Sequence, residues 1–170
     1  MSSANGKPEP RSIDDILAEA RTRIRRLDPA QTLAAVSQGA VLIDMRPVWQ
    51  RVRFGDFPEA LLIDRNHLEW RLDPASDARI KEATGYDVEY VIACQEGYSS
   101  SLAAAILVDI GLYKTADLAG GFEAWMEAGL PIEPGPDIPY RGEDIAPIAA
   151  PIAAPIAAPF AAPTQTGSAT

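Results

Sequence analysis

The sequence predicts an α/β fold in which helices cover both faces of a parallel β-sheet. Two observations support this prediction. First, short apolar runs alternate along the chain with segments of helical periodicity, which is the pattern of a parallel sheet covered on both faces. Second, the chain has 170 residues, of which 47% are hydrophobic, and this is enough to form the core of one domain.

The first element is predicted to be an amphipathic helix over residues 12–27. Ser12, followed by Asp15, resembles an N-cap signature, and apolar residues recur on one face of the helix. These apolar residues are Ile13, Ile16, Leu17, Ala20, Ile24 and Leu27. Residues 1–11 are polar and have almost nothing to bury, so we expect a disordered lead there.

The main domain is predicted to span residues 28–140 and to begin with a second helix. Asp28 is the capping residue, Pro29 occupies the first helical position, and Gln31 can reach back to the cap. This helix is expected to run to Gln38, because Gly39 follows it.

Four apolar runs downstream are the strand candidates, and three helical segments lie between and after them. The runs are "AVLID" (40–44), "ALLID" (60–64), "VEYVIAC" (88–94) and "TADLA" (115–119). The helical segments are "RNHLEWRL" (65–72), residues 99–110 closed by Gly111, and "GFEAWMEAGL" (121–130), which Pro131 stops. We expect four or five strands and about six helices, with Trp70 and Trp125 packed against the sheet.

After Pro131 the composition changes, and residues 141–170 are predicted to form a disordered tail rich in proline and alanine. Its central part, "APIAAPIAAPIAAPFAAP" (146–163), is long and apolar enough to suggest a membrane span. A proline falls on every helical turn, however, and each costs a helix roughly 3 kcal/mol, which excludes a helix. A segment that docks on a partner or on a sheet edge is the alternative.

Charge and residue counts exclude several classes of function. The net charge of -9 repels nucleic acid and anionic membranes. One cysteine and one histidine can form neither an internal disulfide nor a cysteine/histidine zinc site, and we expect no metal and no cofactor. The N-terminus lacks the apolar core of a secretory signal, which favours a cytoplasmic location.

Charged residues and the single cysteine follow the predicted strands directly. Asp44 and Arg46 come at the end of the first strand, Asp64 and Arg65 at the end of the second, and Cys94 at the end of the third. Because the carboxyl ends of parallel strands share one edge of the sheet, where ligands bind, we expect these residues to lie together.

Cys94 leads into a short loop and then into a helix, an arrangement that can hold an anion. The loop "QEGYS" can turn its backbone N–H groups inward above the helix N-terminus, and Gly97 permits the positive φ values that such a loop needs. The same donors stabilise a thiolate, which is the nucleophilic form of cysteine. A core cysteine at a strand end is the alternative, and the hydroxyl-rich loop that follows argues against it.

Several motifs together resemble the rhodanese-like domain, in the order and at about the spacing of that family. They are "LIDMRP", "GDFPEALLIDR", "CQEGYSSSLAAAILVDIGL" and "LAGGFEAWMEAGLPIE", within residues 28–133. The resemblance implies a three-layer α/β/α fold around a five-stranded, mainly parallel sheet. It also implies a sulfurtransferase, which moves a sulfane sulfur from a small donor, such as thiosulfate or a persulfide, to a thiol or cyanide acceptor.

The resemblance further implies a role for each residue of the cysteine loop. Cys94 would be the nucleophile and the persulfide carrier, and the backbone N–H groups after it would form a cradle for the anionic persulfide. The cradle residues are Gln95, Glu96, Gly97, Tyr98, Ser99 and Ser100. Asp44 and Arg46 match the family's Asp-x-Arg and would have either a structural or a site-supporting role. Apart from the resemblance, Arg65 follows directly on the second strand, where it could face Cys94 and contact substrate. A structural ion pair or a surface helix is the alternative for it.

The chain departs from the family pattern in the loop and in one earlier motif. Ser99 replaces the arginine or lysine of many members that use thiosulfate, and Glu96 adds a carboxylate. Both changes disfavour a doubly charged donor unless Arg46 or Arg65 reaches over the crevice. The family's "GHIPGA" reads "GDFPEA" here, so that Asp56 replaces its histidine.

Two other functions stay open at the level of sequence. One is a catalytically weak or inactive interaction module that docks a partner through the exposed loop and the tail. The other is a cysteine phosphatase or arsenate reductase, which needs Cys-x5-Arg where this chain has Ser100. For the sulfurtransferase we expect a monomer or a weak homodimer, and a protein is a further candidate acceptor.

Overall fold

The computed structural model describes residues 9–138, and within them five strands form one sheet in which all neighbours are parallel. The strand order is β1-β5-β4-β2-β3. The strands are β1 (Arg25–Leu27), β2 (Val41–Asp44), β3 (Leu61–Leu62), β4 (Tyr90–Ala93) and β5 (Ala116–Leu118). The predicted α/β fold with a five-stranded parallel sheet is therefore confirmed.

Six α-helices and a short 3-10 turn accompany the sheet in the same part of the chain. The helices are α1 (Ile13–Thr22), α2 (Pro29–Ser37), α3 (Val48–Phe54), α4 (Leu68–Leu72), α5 (Ser99–Ile110) and α6 (Gly121–Glu127). The 3-10 turn, Arg65–His67, leads directly into α4. None of the helices in residues 9–138 has the length and apolar character needed to cross a membrane.

Two hydrophobic clusters cover the two faces of the sheet, which gives three layers. Alternate residues of β4 point to opposite faces: Tyr90 and Ile92 join one cluster, and Val91 and Ala93 join the other. The first cluster contains residues of α4 and α5, and the second contains residues of α6 together with Phe57. Burial, with Glu82 nearby, raises the pKa of the Tyr90 hydroxyl to about 12, so this core side chain is neutral at physiological pH.

Helix α5 packs closely on β4 because its inward face consists largely of small residues. Ala103 and Ala104 are fully buried in the same cluster as Ile92 and Cys94. Gly111 closes the helix in the left-handed conformation, as the sequence predicted. The strand that ends at Cys94 and the helix that begins after it are thus held against each other.

The two predicted capping boxes are confirmed, but the first helix is shorter than predicted. Ser12 caps α1 and Asp28 caps α2. In each box the capping side chain accepts a hydrogen bond from the backbone N–H three residues on, and the side chain of that residue accepts one from the backbone N–H of the cap. The prediction of a helix over residues 12–27 is wrong at its C-terminal end, because residues 25–27 form β1. Pairing of β1 with β5 gives hydrogen-bond partners to the backbone of β5, and it brings Arg26 into an ion pair with Asp117. These tertiary contacts outweigh the helical pattern of the local sequence.

The predictions for the two tryptophans have different outcomes. Trp125 is buried, and its Nε1 donates a hydrogen bond to the Pro131 carbonyl oxygen at 2.8 Å. Trp70 does not pack against the sheet, because its side chain is 61% exposed. Leu68 and Leu72, one helical turn apart on α4, are both fully buried, and Trp70 between them faces outward.

Two of the predicted regions fall largely outside the described residues. The lead, predicted over residues 1–11, has only its last three residues within the described range. The tail, predicted over residues 141–170, lies wholly outside it. The predicted domain boundaries therefore stay predictions.

Candidate active site

The carboxyl edge of the sheet carries a cleft of about 180 Å³ formed by the segments that follow three neighbouring strands. The segment after β2 contributes Arg46, the segment after β3 contributes Arg65, and the loop after β4 contributes Cys94. The lining residues are Met45, Arg46, Pro47, Gln50, Arg65, Cys94, Gln95, Glu96, Tyr98 and Ser99. The structure thus brings together residues that the sequence placed on separate strands.

Cys94 lies at the base of this cleft, with its residue 6% exposed. Its Sγ accepts a hydrogen bond from the Gly97 N–H at 3.2 Å and lies 3.2 Å from the Ser100 Oγ. A thiolate at this position would keep the Gly97 donor, and the Ser100 hydroxyl could rotate to donate a second hydrogen bond. These contacts suit a sulfur that carries negative charge.

The helix that begins beside Cys94 has an N-terminus without a side-chain cap. Tyr98 occupies the N-cap position of α5 and makes no capping hydrogen bond, whereas Ser12 and Asp28 each form a capping box. The first N–H groups of an uncapped helix stay available to an anion, and the helix dipole favours negative charge there. The end of α5 that adjoins the sulfur is therefore suited to bind an anion.

Gly97 gives the loop its shape and its close approach to the start of α6. Its φ is +76°, and a Cβ at this position would lie 2.6 Å from the Gly120 nitrogen. The beginning of α6 also holds the loop, because the Phe122 N–H donates to the Cys94 carbonyl at 2.9 Å. Both a left-handed φ and a contact too short for any side chain require glycine at position 97.

Arg46 is buried below the loop and makes hydrogen bonds to residues of three different segments. Its guanidinium binds Asp44 through two nitrogens at 2.7–3.1 Å, and it also donates to the Gly55 carbonyl at 2.9 Å and to the Gln95 Oε1 at 3.2 Å. The guanidinium carbon lies 3.7 Å from the centroid of the Phe122 ring. Arg46 therefore joins three loops of the site, and its charge is compensated by the equally buried Asp44.

Asp56, which replaces the family's histidine, belongs to the same group of charges. It accepts two hydrogen bonds of 2.7 Å from Arg51 and lies 3.7 Å from the Arg46 guanidinium. The hydrogen bond to Asp56 raises the pKa of Arg51. The aspartate thus anchors α3, which carries Arg51 and forms one side of the cleft.

The other predicted site residues divide between the cleft and the layer beneath it. Gln95 is 5% exposed and accepts the hydrogen bond from Arg46. Glu96, Tyr98 and Ser99 line the cleft. Arg65 also lines it, although its guanidinium pairs with Glu69 on the next helical turn at 2.7 Å. For Arg65 the two alternatives drawn from the sequence, substrate contact and ion pair, are geometrically compatible.

Two arginines hold the loop from behind, through contacts that were not predicted from the sequence. Arg21 and Arg26 each donate a hydrogen bond to the Gly97 carbonyl oxygen, and the Ser101 Oγ lies 3.2 Å from the same oxygen. The two arginines precede Gly97 by more than 70 positions, so that spacing along the chain gave no signal of the contact. The run of serines after the loop did indicate a polar environment at this point.

Comparisons with known proteins agree with this geometry. A family model described as the rhodanese-like domain matches residues 28–128. A curated relative named thiosulfate sulfurtransferase GlpE, from Pseudomonas savastanoi pv. phaseolicola, is 35% identical over 104 residues, which cover 61% of this chain and 89% of the relative. A relative of the same name from Haemophilus influenzae is 28% identical over 110 residues, covering 64% and 94% respectively.

A solved structure from Rhodopseudomonas palustris is also similar over the whole of its length. That protein is described as one of unknown function and a possible tyrosine phosphatase, and it is 34% identical to this chain, with a TM-score of 0.66. The comparison covers 75% of this chain and 100% of that one. The family model matches more than half of this chain, and the cysteine loop lies at the carboxyl edge of a five-stranded parallel sheet. This chain therefore belongs to the rhodanese-like domain family.

Proposed function

We propose that this protein is a sulfurtransferase in which Cys94 takes up a sulfane sulfur as a persulfide and passes it to a thiol or cyanide acceptor. The observation that carries the proposal is the position of the Cys94 Sγ. It lies at the base of a cleft, accepts the Gly97 N–H and adjoins the uncapped N-terminus of α5. The names of the curated relatives, which are thiosulfate sulfurtransferases, support the same reaction.

The reaction proceeds in two displacements at sulfur. In the first, the Cys94 thiolate attacks the transferable sulfur of the donor, the bond that joins this sulfur to the rest of the donor breaks, and the donor remnant leaves with the electron pair. With thiosulfate this remnant is sulfite. In the second, the acceptor thiolate or cyanide attacks the outer sulfur of the persulfide and releases the Cys94 thiolate. The N–H groups of residues 95–100 form the proposed cradle, which would stabilise the anionic sulfur at both stages.

The mass of the intact protein tests this function directly. Incubation with thiosulfate, mercaptopyruvate or a small alkyl persulfide is expected to add about 32 Da, the mass of one sulfur atom. Addition of cyanide is then expected to remove the added mass and to release thiocyanate. Peptide mapping should place the added sulfur on Cys94. If none of the three donors adds mass, the proposed function is wrong.

Arg65 is the proposed cation for an anionic donor. Arg46 also lines the cleft, but its side chain is fully buried and its charge is compensated by Asp44, whereas the Arg65 side chain is 38% exposed. Replacing Arg65 with glutamine is expected to raise the KM for thiosulfate about five- to tenfold and to change kcat little, because the charge attracts the donor without taking part in either displacement.

Arg71→Gln provides the matched control for this measurement. Arg71 lies on α4 close in sequence to Arg65, it is exposed, and it does not belong to the cleft. We expect its KM for thiosulfate to equal that of the unchanged protein. An equal rise in KM for both variants would show that Arg65 acts only through the net charge, and no rise for Arg65→Gln would remove it from the site.

The alternative functions have less support from the described residues. The similar protein from Rhodopseudomonas palustris is described as a possible tyrosine phosphatase, but phosphatase chemistry of this kind needs an arginine where this chain has Ser100. The interaction module depended in part on the tail, which lies outside the described residues. A cytoplasmic location and a monomer or weak homodimer stay predictions that accompany the proposed sulfurtransferase.

A further inference from the structure

The Gly97 carbonyl oxygen accepts two hydrogen bonds from behind the loop. The donors are the Arg21 Nη2 at 3.0 Å and the Arg26 Nη2 at 3.2 Å. The Ser101 Oγ lies 3.2 Å from the same oxygen, but its single hydrogen is donated to Asp117. The N–H of the same glycine donates to the Cys94 Sγ. One residue therefore separates two guanidinium groups from the sulfur, and its conformation determines the direction of the N–H.

The donors behind the loop belong to a single network built around a buried carboxylate. Asp117, which is fully buried on β5, accepts hydrogen bonds from the Ser101 Oγ at 2.6 Å and from the Arg26 Nε at 3.1 Å. Arg21 donates to the Ser101 Oγ at 3.2 Å, and its guanidinium lies 5.6 Å from the centroid of the Tyr98 ring. Two guanidinium groups and one carboxylate leave a net positive charge in this network.

The charges on the cleft side of the loop do not supply an equivalent field. Arg46 is compensated by Asp44, and Arg65 pairs with Glu69. Glu96 adds a further carboxylate to the lining of the cleft. The net positive charge of this part of the site therefore lies behind the loop, whereas position 99, where the family pattern leads one to expect a cation, holds a serine.

We infer that Arg21 and Arg26 are positioning residues for Cys94, which hold Gly97 so that its N–H points at the sulfur and which place positive charge behind the anionic sulfur. The inference rests on the proposed function and adds to it. Both arginines precede residue 28, where the match to the family model begins. The segment formed by α1 and β1 therefore belongs to the active site of this protein.

Alkylation of Cys94 by iodoacetamide tests the inference on the full-length protein without any sulfur donor. At about pH 7 the Arg21→Gln variant is expected to react about three- to tenfold more slowly than the unchanged protein, because the anionic sulfur loses the positive charge behind the loop and the group that holds the Gly97 N–H toward it. Arg21→Lys, which keeps the charge, should recover most of the rate.

Arg23→Gln is the matched control, because it removes the same charge two residues away. Arg23 is exposed and pairs with Asp109, and it makes no hydrogen bond to the loop among the described residues. Its alkylation rate is expected to equal that of the unchanged protein. Thermal denaturation should show that all three variants are folded, as expected for substitutions of side chains that are at least partly exposed.

Two results would overturn the inference. One is an Arg21→Gln variant that alkylates as fast as the unchanged protein from about pH 6 to about pH 10. The other is an equal slowing in Arg21→Gln and Arg23→Gln, which would reflect the net charge alone. The proposed function is tested separately, by the uptake of sulfur. If the unchanged protein took up no sulfur, its alkylation rate and that of the Arg21→Gln variant would still decide the role of Arg21.

Discussion

Replacing Cys94 with serine is expected to abolish sulfur uptake and transfer while it preserves the fold. A serine hydroxyl is not ionised at neutral pH and cannot form a persulfide, so turnover should fall by several orders of magnitude. Serine has nearly the volume of cysteine, and its hydroxyl can accept the Gly97 N–H and donate to the Ser100 Oγ. The free energy of unfolding should therefore change by no more than about 1 kcal/mol.

Initial rates of thiocyanate formation and intact mass together measure this effect. Thiol titration provides the control: the unchanged protein should give one thiol, and the variant none, because Cys94 is the only cysteine of the sequence. A Cys94→Ser variant that still transferred sulfur at a comparable rate would contradict the assignment of Cys94 as the sulfur carrier.

Replacing Arg46 with methionine is expected to lower the free energy of unfolding by about 3–5 kcal/mol. The side chains of Arg46 and Asp44 are both fully buried. Removal of the guanidinium would leave the Asp44 carboxylate buried without its counterion, and the Gly55 carbonyl and Gln95 Oε1 would also lose a donor. Urea denaturation should show a lower midpoint with an unchanged slope.

Two further variants make the Arg46 result specific. Arg25→Met breaks an exposed pair with Glu89 and should cost less than about 1 kcal/mol. Asp44→Asn combined with Arg46→Met removes both charges and should recover part of the lost stability, because no uncompensated charge stays buried. If Arg46→Met were as stable as Arg25→Met, the buried pair would not be what holds the loops of the site together.

Features of the fold that depend on neighbours along the chain could be predicted from the sequence. The capping boxes at Ser12 and Asp28 and the helix end at Gly111 each involve residues within one helical turn. Strand β1 could not be predicted in this way, because it has three residues and pairs with residues 116–118. Trp70 was predicted wrongly because the apolar pattern of a five-residue helix does not define which face is buried.

The same distinction applies to the candidate site. Cys94, Gly97 and Ser100 lie in one strand-loop-helix segment, so their contacts follow from the local sequence together with the resemblance to the family. The contacts of Arg21 and Arg26 with Gly97 depend on the packing of α1 against α5 and of β1 against β5. A single sequence gives no indication of such contacts, because an arginine that faces solvent and an arginine that contacts the active-site loop occupy similar positions in the pattern of polar and apolar residues.

The alanine face of α5 links the size of core side chains to the chemistry of the sulfur. Ala103 and Ala104 lie between the helix and the sheet, and the helix is rigid over this length. A larger residue at either position would tilt or lift the first turn, and would change the distance between the Ser100 hydroxyl and the Cys94 sulfur. Substitutions in the core can therefore change the rate of sulfur transfer in a rhodanese-like protein without any substitution of a residue that contacts substrate.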